Sequence, residues 1–290
     1  MPITEFPAGG LGSGITPEQW ATYVLEHLSA QSVVLASGAT RVTTAQKIVH
    51  IPRVTADGSA DWFGELEEIN VGDPTGDELE LQPKKCAALT KLSDEVVTDS
   101  SPSVLDTVGT AMTRAVALKA DRAILNGTGG KQPTGVYGQA GQQVTGAVTI
   151  DSLIDAAGLV ADVGGQARVA YVNPANHTQL MKEKDANDRP LLTPDYSGGP
   201  SSTIYGLAVW PTKGIAVDTA LVADPSQIVV AVRQDPTVAV SLDALFTADG
   251  AVCRVICRID CGVNDASGLV AISATAVQSM SSRSSKSSAK

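Results

Sequence analysis

The chain has 290 residues, of which 43% are hydrophobic but only 4% aromatic, so its core must be filled mainly by Val, Ile, Leu and Ala. Its four cysteines are too few for a disulfide-stapled secreted scaffold. No apolar run reaches the roughly 20 residues of a membrane span, and the N-terminus lacks a signal-peptide pattern. A net charge of −10 disfavours sequence-independent binding to DNA phosphates. We expect a soluble cytoplasmic product of one large or two smaller domains.

An arm and a short helix are predicted at the start of the chain. Residues 1–16 are rich in glycine and show no periodicity, which is typical of a flexible arm. Thr16 followed by Pro17 and Gln19 has the residue pattern of a capped helix N-terminus.

A long acidic hairpin is predicted next. Residues 48–51 and the alternation at 79–81 are typical of strands. The segment between them, residues 54–82, contains nine acids and no Lys or Arg. Because the whole chain has 31 acids and 21 Lys and Arg, the remainder is left with 22 acids and is nearly neutral. This hairpin cannot bury much of itself.

The clearest helix is predicted over residues 102–126. Ser101 followed by Pro102 is typical of a helix N-terminus. The helix is expected to end at Asn126, with Gly127 in the left-handed conformation. About 24 residues at about 1.5 Å each give a length of roughly 36 Å, which suits a strut.

The elements after this helix are shorter. Residues 127–146 contain seven glycines and are expected to form a loop. Residues 279–290, rich in Ser, Lys and Arg, are expected to be a disordered tail. We predict short helices over 151–160 and 174–181, and strands over 169–172, 204–209, 228–232 and 269–274.

Three of the cysteines recur every fourth residue in a late strand. In residues 251–263 the period-2 pattern places Cys253, Cys257 and Cys261 on one buried face, opposite Arg254 and the other polar positions. Strand residues four apart are about 13 Å apart, so three of them cannot reach one zinc ion. These cysteines are expected to act as small hydrophobic residues, and no metal site is predicted.

The sequence gives little support for phosphate binding, catalysis or calcium binding. The glycine-rich loop at 127–132 follows a helix and lacks the residues of a phosphate-binding loop. None of His27, His50 and His177 stands in a catalytic motif. The acidic run lacks the ligand spacing of a calcium-binding loop. We therefore predict no catalytic residues and no cofactor, and the chain is not expected to be an enzyme.

Five stretches carry a family resemblance. They are 61–65 in the acidic hairpin; 83–87 leading to 92–100; 123–130 continuing to Gln132-Pro133-Thr134-Gly135-Val136; 171–174 followed by 188–191 and 205–209; and the Asp249-Gly250 turn into 252–255. In this order they span about residues 45–275 and resemble the major capsid proteins of tailed bacteriophages with the Hong Kong 97-type capsid fold. The helix end followed by the Gln-Pro-x-Gly loop is the most specific of them.

The resemblance implies an α+β fold with a long spine helix, a peripheral domain, an axial domain, an extended β-hairpin loop and an N-terminal arm. The corresponding limits are 1–40 for the arm and short helix, 41–150 and 236–278 for the peripheral domain, 54–82 for the extended loop, 102–126 for the spine helix, 151–235 for the axial domain and 279–290 for the tail.

The implied function is a major capsid protein that self-assembles into hexamers and pentamers of an icosahedral head shell around double-stranded DNA. Expected partners are further copies, a separate scaffolding protein, a portal and decoration proteins, without sequence-specific DNA binding or membrane contact. The expected location is the virion, after assembly in the host bacterial cytoplasm. The alternative is the shell of an encapsulin-like nanocompartment. The family's type member cross-links through a Lys in the extended loop; residues 54–82 contain none, so no such cross-link is expected.

The acidic loop also leads to an interface hypothesis. In the family it lies across a neighbouring subunit, where its acids need basic partners and its aromatic residues can anchor the contact. The predicted subunit-interface residues are Trp62, Phe63, Glu65, Glu67, Glu68, Lys84, Lys85, Arg114, Lys119, Arg122 and Lys131.

Overall fold

The structure is a computed structural model. It describes residues 32–56, 75–93, 103–184, 202–245 and 250–274, together with the single positions 62, 63, 65, 73, 187 and 191. The predicted arm, the helix at Pro17, most of the extended loop, the stretch 188–190 and the tail lie outside the described residues.

The described residues form helices and strands in the following order. The α-helices are α1 (Val33–Ala36), α2 (Ser103–Asn126), α3 (Ile150–Asp162) and α4 (Pro174–Leu180). The strands are β1 (Thr40–Thr43), β2 (Val49–Ala56), β3 (Thr75–Leu81), β4 (Lys84–Ser93), β5 (Gln142–Thr145), β6 (Val169–Val172), β7 (Ser202–Ile204), β8 (Leu207–Pro211), β9 (Thr219–Ala223), β10 (Ile228–Leu245), β11 (Gly250–Val263) and β12 (Leu269–Ser273). Short 3₁₀ turns lie at Val136–Gln139, Pro225–Gln227 and Ala266–Gly268.

A four-stranded sheet has the order β1-β10-β11-β4, with β1 parallel to β10 and the other pairs antiparallel. Helix α2 packs on its inner face, where Met112 and Val116 contact Cys253, Val255 and Cys257. The alternation of β11 over residues 251–258 follows from this one-sided cover, whereas residues 259–263 are all buried. The predicted long helix and the predicted buried cysteine face are both confirmed.

A six-stranded sheet has the order β5-β12-β9-β6-β8-β7. Helix α3 packs against one face, in a core that includes Leu153, Val160 and Val222. The other face contributes Tyr171 and Leu221 to a second core, which also contains residues of α2, β10 and β11. Because both faces are covered, β6, β9 and β12 are apolar at nearly every position.

The acidic hairpin consists of β2 and β3, paired antiparallel from Val49–Leu81 to Ala56–Thr75. Its base lies on β11. Leu79 and Leu81 fit where Gly262 has no side chain, since a Cβ there would lie 2.8 Å from Leu81 Cδ2. The Gln82 N–H donates to Asp260 Oδ2 at 2.7 Å, and Arg53 Nη1 donates to the Val263 carbonyl at 3.3 Å.

The long helix ends at Asn126 as predicted, but not by the predicted mechanism. Gly127 does not adopt a positive φ. A Cβ at this position would lie 2.2 Å from the Pro133 carbonyl oxygen and 2.4 Å from that of Ala123. The Gly135 N–H donates to the Gly127 carbonyl at 2.9 Å, so the chain folds back against the helix end. Glycine is needed here for close backbone approach, so the left-handed cap was wrong.

Several predicted element limits were also wrong. Residues 127–146, predicted as a loop, contain a 3₁₀ turn and β5. The polar sequence of β5 gives no strand pattern, and the strand exists because it pairs in parallel with β12. The predicted strand 204–209 is split into β7 and β8 by a turn in which Tyr205 has φ 46° and Gly206 has φ 86°. Strand β10 extends well beyond the predicted 228–232.

The predicted limits of the axial domain, residues 151–235, remain a prediction. Strand pairing crosses these limits in both directions. Strands β5 and β12 lie outside them but belong to the six-stranded sheet, whereas residues 228–232 lie inside them and pair with β11 in the four-stranded sheet. Among the helices that the structure describes, none is long and apolar enough to cross a membrane.

Candidate assembly surfaces

The predicted apolar anchors lie in the acidic loop. Trp62 is 103% exposed, so its indole is not covered by the part of the chain that the structure describes. Phe63 is half-buried and Glu65 is exposed. Glu67 and Glu68 lie outside the described residues. A fully exposed tryptophan is unusual for a residue whose large apolar area favours burial.

Acids at the base of the hairpin are partly paired within the chain. Asp77 accepts a hydrogen bond from Arg53 Nη2 at 2.9 Å, and this bond holds the pKa of Asp77 below its usual value. Glu78 lies 3.2 Å from His50 Nδ1. The Glu78–His50 pair is largely exposed and contributes little to stability, whereas the Arg53 side chain of the other pair is 26% exposed.

The solvent-facing side of α2 carries the three predicted cations of this helix. Arg114, Lys119 and Arg122 are all exposed. Leu118, between them, is 59% exposed. Over residues 108–126, whose side chains are described, the single acid is Asp121, and it is buried. We call this basic strip the helix face.

The remaining predicted cations do not join the helix face. Lys84 is half-buried, and its Nζ donates to the Gln132 carbonyl at 3.0 Å, so it holds the loop after α2. Lys131 is exposed in that loop. Lys85 is exposed on the side of β4 that faces away from α2.

A second basic surface lies on the sheet side that α2 does not cover. It carries Lys85 and Lys91 from β4 and Arg254 and Arg258 from β11, around Leu89, which is 61% exposed. Arg258 is directly opposite Lys85. Like charges facing each other across strands destabilise a sheet. We call this surface the sheet face. Alternation in the sequence put Arg254 and Arg258 on one side, but only the strand register added β4.

The hairpin base covers the other end of the sheet face. Leu79 and Leu81 pack there on Val229 and Ala231. Asp260 lies under this cover, where burial raises its pKa against the opposing effect of the Gln82 and Cys261 N–H groups. The acidic hairpin of the chain therefore shields one end of the sheet face and leaves the cationic end open.

Asp121 anchors α1 to the buried side of α2. Its carboxylate accepts hydrogen bonds from Ser32 Oγ at 2.5 Å and from the Val33 N–H at 2.8 Å. Burial is the larger influence and raises the pKa of Asp121 to about 6. Ser37 at the end of α1 hydrogen-bonds the Tyr171 hydroxyl, which ties α1 to the six-stranded sheet as well.

A histidine and a serine lie close enough to interact near the six-stranded sheet. His177 Nε2 lies 2.9 Å from Ser202 Oγ, and burial lowers the pKa of His177. In the described ranges no carboxylate hydrogen-bonds His177, so the pair does not form a Ser-His-acid arrangement. The described residues also contain no group of three or more His, Cys, Asp or Glu suited to a metal ion.

Solved structures share this architecture. A chain of Mycobacterium phage Bobi aligns with a TM-score of 0.68 at 21% identity, covering 85% of this chain and 91% of that one. The "Capsid of native GTA particle" aligns with a TM-score of 0.67 at 16% identity, covering 94% and 96%. A chain of Mycobacterium phage Adephagia gives 0.67 at 20%, covering 85% and 91%. The protein therefore has the α+β Hong Kong 97-type fold of viral capsid proteins, as the resemblance implied.

Sequence comparison gives the family. The Phage capsid family matches residues 12–274, and the chain belongs to this family. The "Probable major capsid protein gp17" of Mycobacterium phage L5 is 29% identical over 167 residues, 52% of this chain and 48% of that one. The "Major capsid protein" of Halomonas phage phiHAP-1 is 23% identical over 240 residues, 81% and 39%. The chain thus spans less than half the length of these curated relatives.

Proposed function

We propose that the chain is the major shell-forming protein of a tailed-phage head and assembles with copies of itself into the rings and closed shell of the virion. One observation carries this proposal beyond family membership. Within the described residues, a single chain presents an acidic hairpin that is only partly paired and carries an exposed tryptophan, together with two exposed cationic faces. Complementary surfaces on the same molecule allow association of identical copies by heterologous contacts.

The proposed contact places the acidic hairpin of one copy on a cationic face of the next. Opposite charges across the contact would select the correct docking orientation and speed the encounter more than they would add affinity. Trp62 and Phe63 would supply the apolar anchors. The predicted interface residues are retained in this proposal, with Lys84 assigned instead to holding the loop after α2.

The sheet face is the stronger of the two docking candidates. Lys85 and Arg258 face each other there, and the repulsion between their like charges destabilises the sheet. A docked carboxylate would remove this repulsion. Arg258 Nε is also buried and finds no hydrogen-bond partner among the described residues. The chain's own hairpin already packs on the same sheet face at its other end, so a neighbouring hairpin would extend an existing type of packing. The helix face carries cations but shows neither feature.

The other expectations form part of this proposal. A separate scaffolding protein, a portal and decoration proteins are proposed partners. The enclosed DNA is held without sequence-specific contacts, in keeping with the net charge of −10. The chain acts as a structural protein and catalyses no reaction.

Negative-stain electron microscopy of the purified chain, alone and with the scaffold encoded beside its gene, tests the shell. Closed shells or rings of five or six subunits are expected in at least one condition. A monodisperse monomer or dimer in both conditions would refute the proposal.

Charge reversal distinguishes the two faces. The sheet-face variant K85E/K91E/R254E is expected to assemble poorly, with partial rescue at high salt. R114E/K119E/R122E tests the helix face with the same charge change. R168E/K182E/K213E alters three exposed cations near the six-stranded sheet and serves as the matched control. Normal assembly of both face variants would exclude electrostatic docking, whereas failure of the helix-face variant alone would move the docking site to α2.

A further inference from the structure

Two cysteines of the four-stranded sheet face each other across neighbouring strands. Cys257 of β11 is directly opposite Cys86 of β4. Both lie on the inner face beneath α2, in the cluster with Met112 and Val116. Their thiols are hydrogen-bonded to each other, and neither cysteine is in a disulfide. Directly opposed residues of an antiparallel pair have Cα atoms about 4.5–5.5 Å apart, within the roughly 4.4–6.8 Å of disulfides.

The other two cysteines have no such partner. Cys253 is opposite Thr90. Cys253 and Cys261 are each four residues from Cys257, about 13 Å along the strand, which is too far for a disulfide. Cys261 is buried beside the carbonyl oxygens of Thr134 and Ile124, at 3.3 and 3.6 Å from its sulfur. The fold therefore permits one pairing of the four thiols.

The two members of the pair differ in access and in charge environment. Cys86 is half-exposed because β4 is the edge strand of its sheet, whereas Cys257 is buried. The hydrogen bond from Cys257 lowers the pKa of the Cys86 thiol, and the nearby Lys119 ammonium lowers it further. Interaction with Cys86 and burial raise the pKa of Cys257. A half-exposed thiol beside a cation is the usual setting of a reactive cysteine.

We propose that Cys86 and Cys257 form a redox modification site that reacts with small-molecule disulfides and closes into an intrachain disulfide. The Cys86 thiolate attacks one sulfur of the small disulfide, and the other sulfur leaves as a thiolate that takes up a proton. Cys257 then loses its proton to solvent and attacks Cys86 Sγ, which expels the second small thiol. In total, one small disulfide and two cysteine thiols become one protein disulfide and two small thiols.

Formation of this disulfide would link the edge strand β4 covalently to β11. Strand β4 is bonded to β11 along one side and has no described strand on its other side. A covalent bond between the two strands would also close a loop of about 170 residues, which restricts the unfolded chain. The reducing interior of a cell keeps such a pair open, and an oxidising exterior closes it. This inference concerns the folded chain alone and does not depend on the proposed shell function.

The test treats the purified native full-length chain with oxidised glutathione, then denatures it and counts the remaining thiols. The number of free thiols is expected to fall from four to two, and peptide mapping should show Cys86 joined to Cys257. Reduction should restore all four. Four remaining thiols after treatment, or a disulfide that includes Cys253 or Cys261, would overturn the proposal.

Variants separate the two steps. Cys86→Ser, at a half-exposed position that tolerates the change, should retain all three of its thiols. Cys257→Ala should stop at a stable glutathione adduct on Cys86. Cys253→Ala, on the same buried strand face, is the matched control and should still form the disulfide. A stable adduct on Cys86 in the unaltered chain, without closure, would show that Cys257 does not resolve it and would also overturn the proposal.

Discussion

The two sheets of this protein are covered to different extents. In the six-stranded sheet, Tyr171 and Leu221 point into one core, while Val172 and Val222 point into the other. In the four-stranded sheet, β11 buries Cys253 and Cys257 under α2 and presents Arg254 to solvent. The chain covers both faces of the six-stranded sheet, whereas it covers one face of the four-stranded sheet and only the end of the other face that lies under the hairpin base.

This difference supports the proposed position of the assembly contacts. A strand covered on both faces reads as a continuous apolar run, and a strand covered on one face alternates. The open side of the four-stranded sheet is cationic and includes an exposed leucine, so it has the chemistry of a surface that meets an acidic partner. The same substitution should therefore have very different consequences in the two sheets.

Leu221→Ala should have the largest effect on stability. The side chain is fully buried between the sheet and α2, so its removal leaves a cavity in the shared core. We expect a loss of about 2–5 kcal/mol in the free energy of unfolding, measured by urea denaturation. A loss below about 1 kcal/mol would mean that this sheet is less tightly covered than the structure indicates.

Asp121→Asn tests the connection between the sheets through its pH dependence. The folded-state pKa of about 6 lies above the usual value of 3.8, so this group lowers stability as the pH rises from about 4 to about 6. An asparagine is neutral throughout and avoids that loss. At about pH 7.5 the variant should be more stable by on the order of 2 kcal/mol, and at about pH 4.5 the difference should shrink to about a third of that.

Urea midpoints of both proteins at the two pH values provide the measurement. The same difference at both pH values would show that Asp121 does not titrate between them. A less stable variant at neutral pH would mean that the hydrogen bonds from Ser32 and Val33 outweigh the cost of burying the charge.

Gly262→Ala tests how the hairpin base covers the sheet face. The added Cβ would lie 2.8–3.0 Å from the Leu79 and Leu81 methyl groups. Displacing these side chains should cost about 1–2 kcal/mol in thermal or urea denaturation. Gly158→Ala is the matched control, since its Cβ would meet nothing within 4 Å and α3 should gain about 0.5–1 kcal/mol. Equal effects would contradict tight packing at the base.

Leu89→Ala is the counterpart of Leu221→Ala on the open sheet face, and its effect on stability should be the smallest. Because the side chain is 61% exposed, we expect a change within about 0.5 kcal/mol. If the sheet face is the docking site, the variant should nevertheless assemble more slowly, as followed by light scattering. A stability loss as large as that of Leu221→Ala would contradict the comparison of the two sheets.

Local sequence patterns predicted the elements whose burial is regular. The long helix α2, the buried cysteine face of β11, the strand β6 and the helix α4 were all predicted and confirmed. Strands β1 and β5 were missed because their short, partly polar sequences owe their conformation to parallel pairing with β10 and β12.

The two cationic faces differ in the same way: one could be predicted from local sequence, and the other could not. The helix-face cations were predictable because residues three and four apart share one side of a helix. The sheet face was not, because Arg254 and Arg258 join Lys85 and Lys91 only through the register of β4 on β11. The anchoring of α1 by Asp121 spans 88 residues of sequence, and no local pattern indicates it.

By itself, the sequence determined the fold class through its resemblance to a known family, and it determined the acidic hairpin, the long helix and the buried face of β11 through the residue pattern along one segment. Tertiary structure alone decided which strands are neighbours, why Gly127 must be glycine, and that Cys86 meets Cys257 while the other two cysteines remain apart. These features depend on contacts between distant segments, and such contacts leave no period in the sequence of either one.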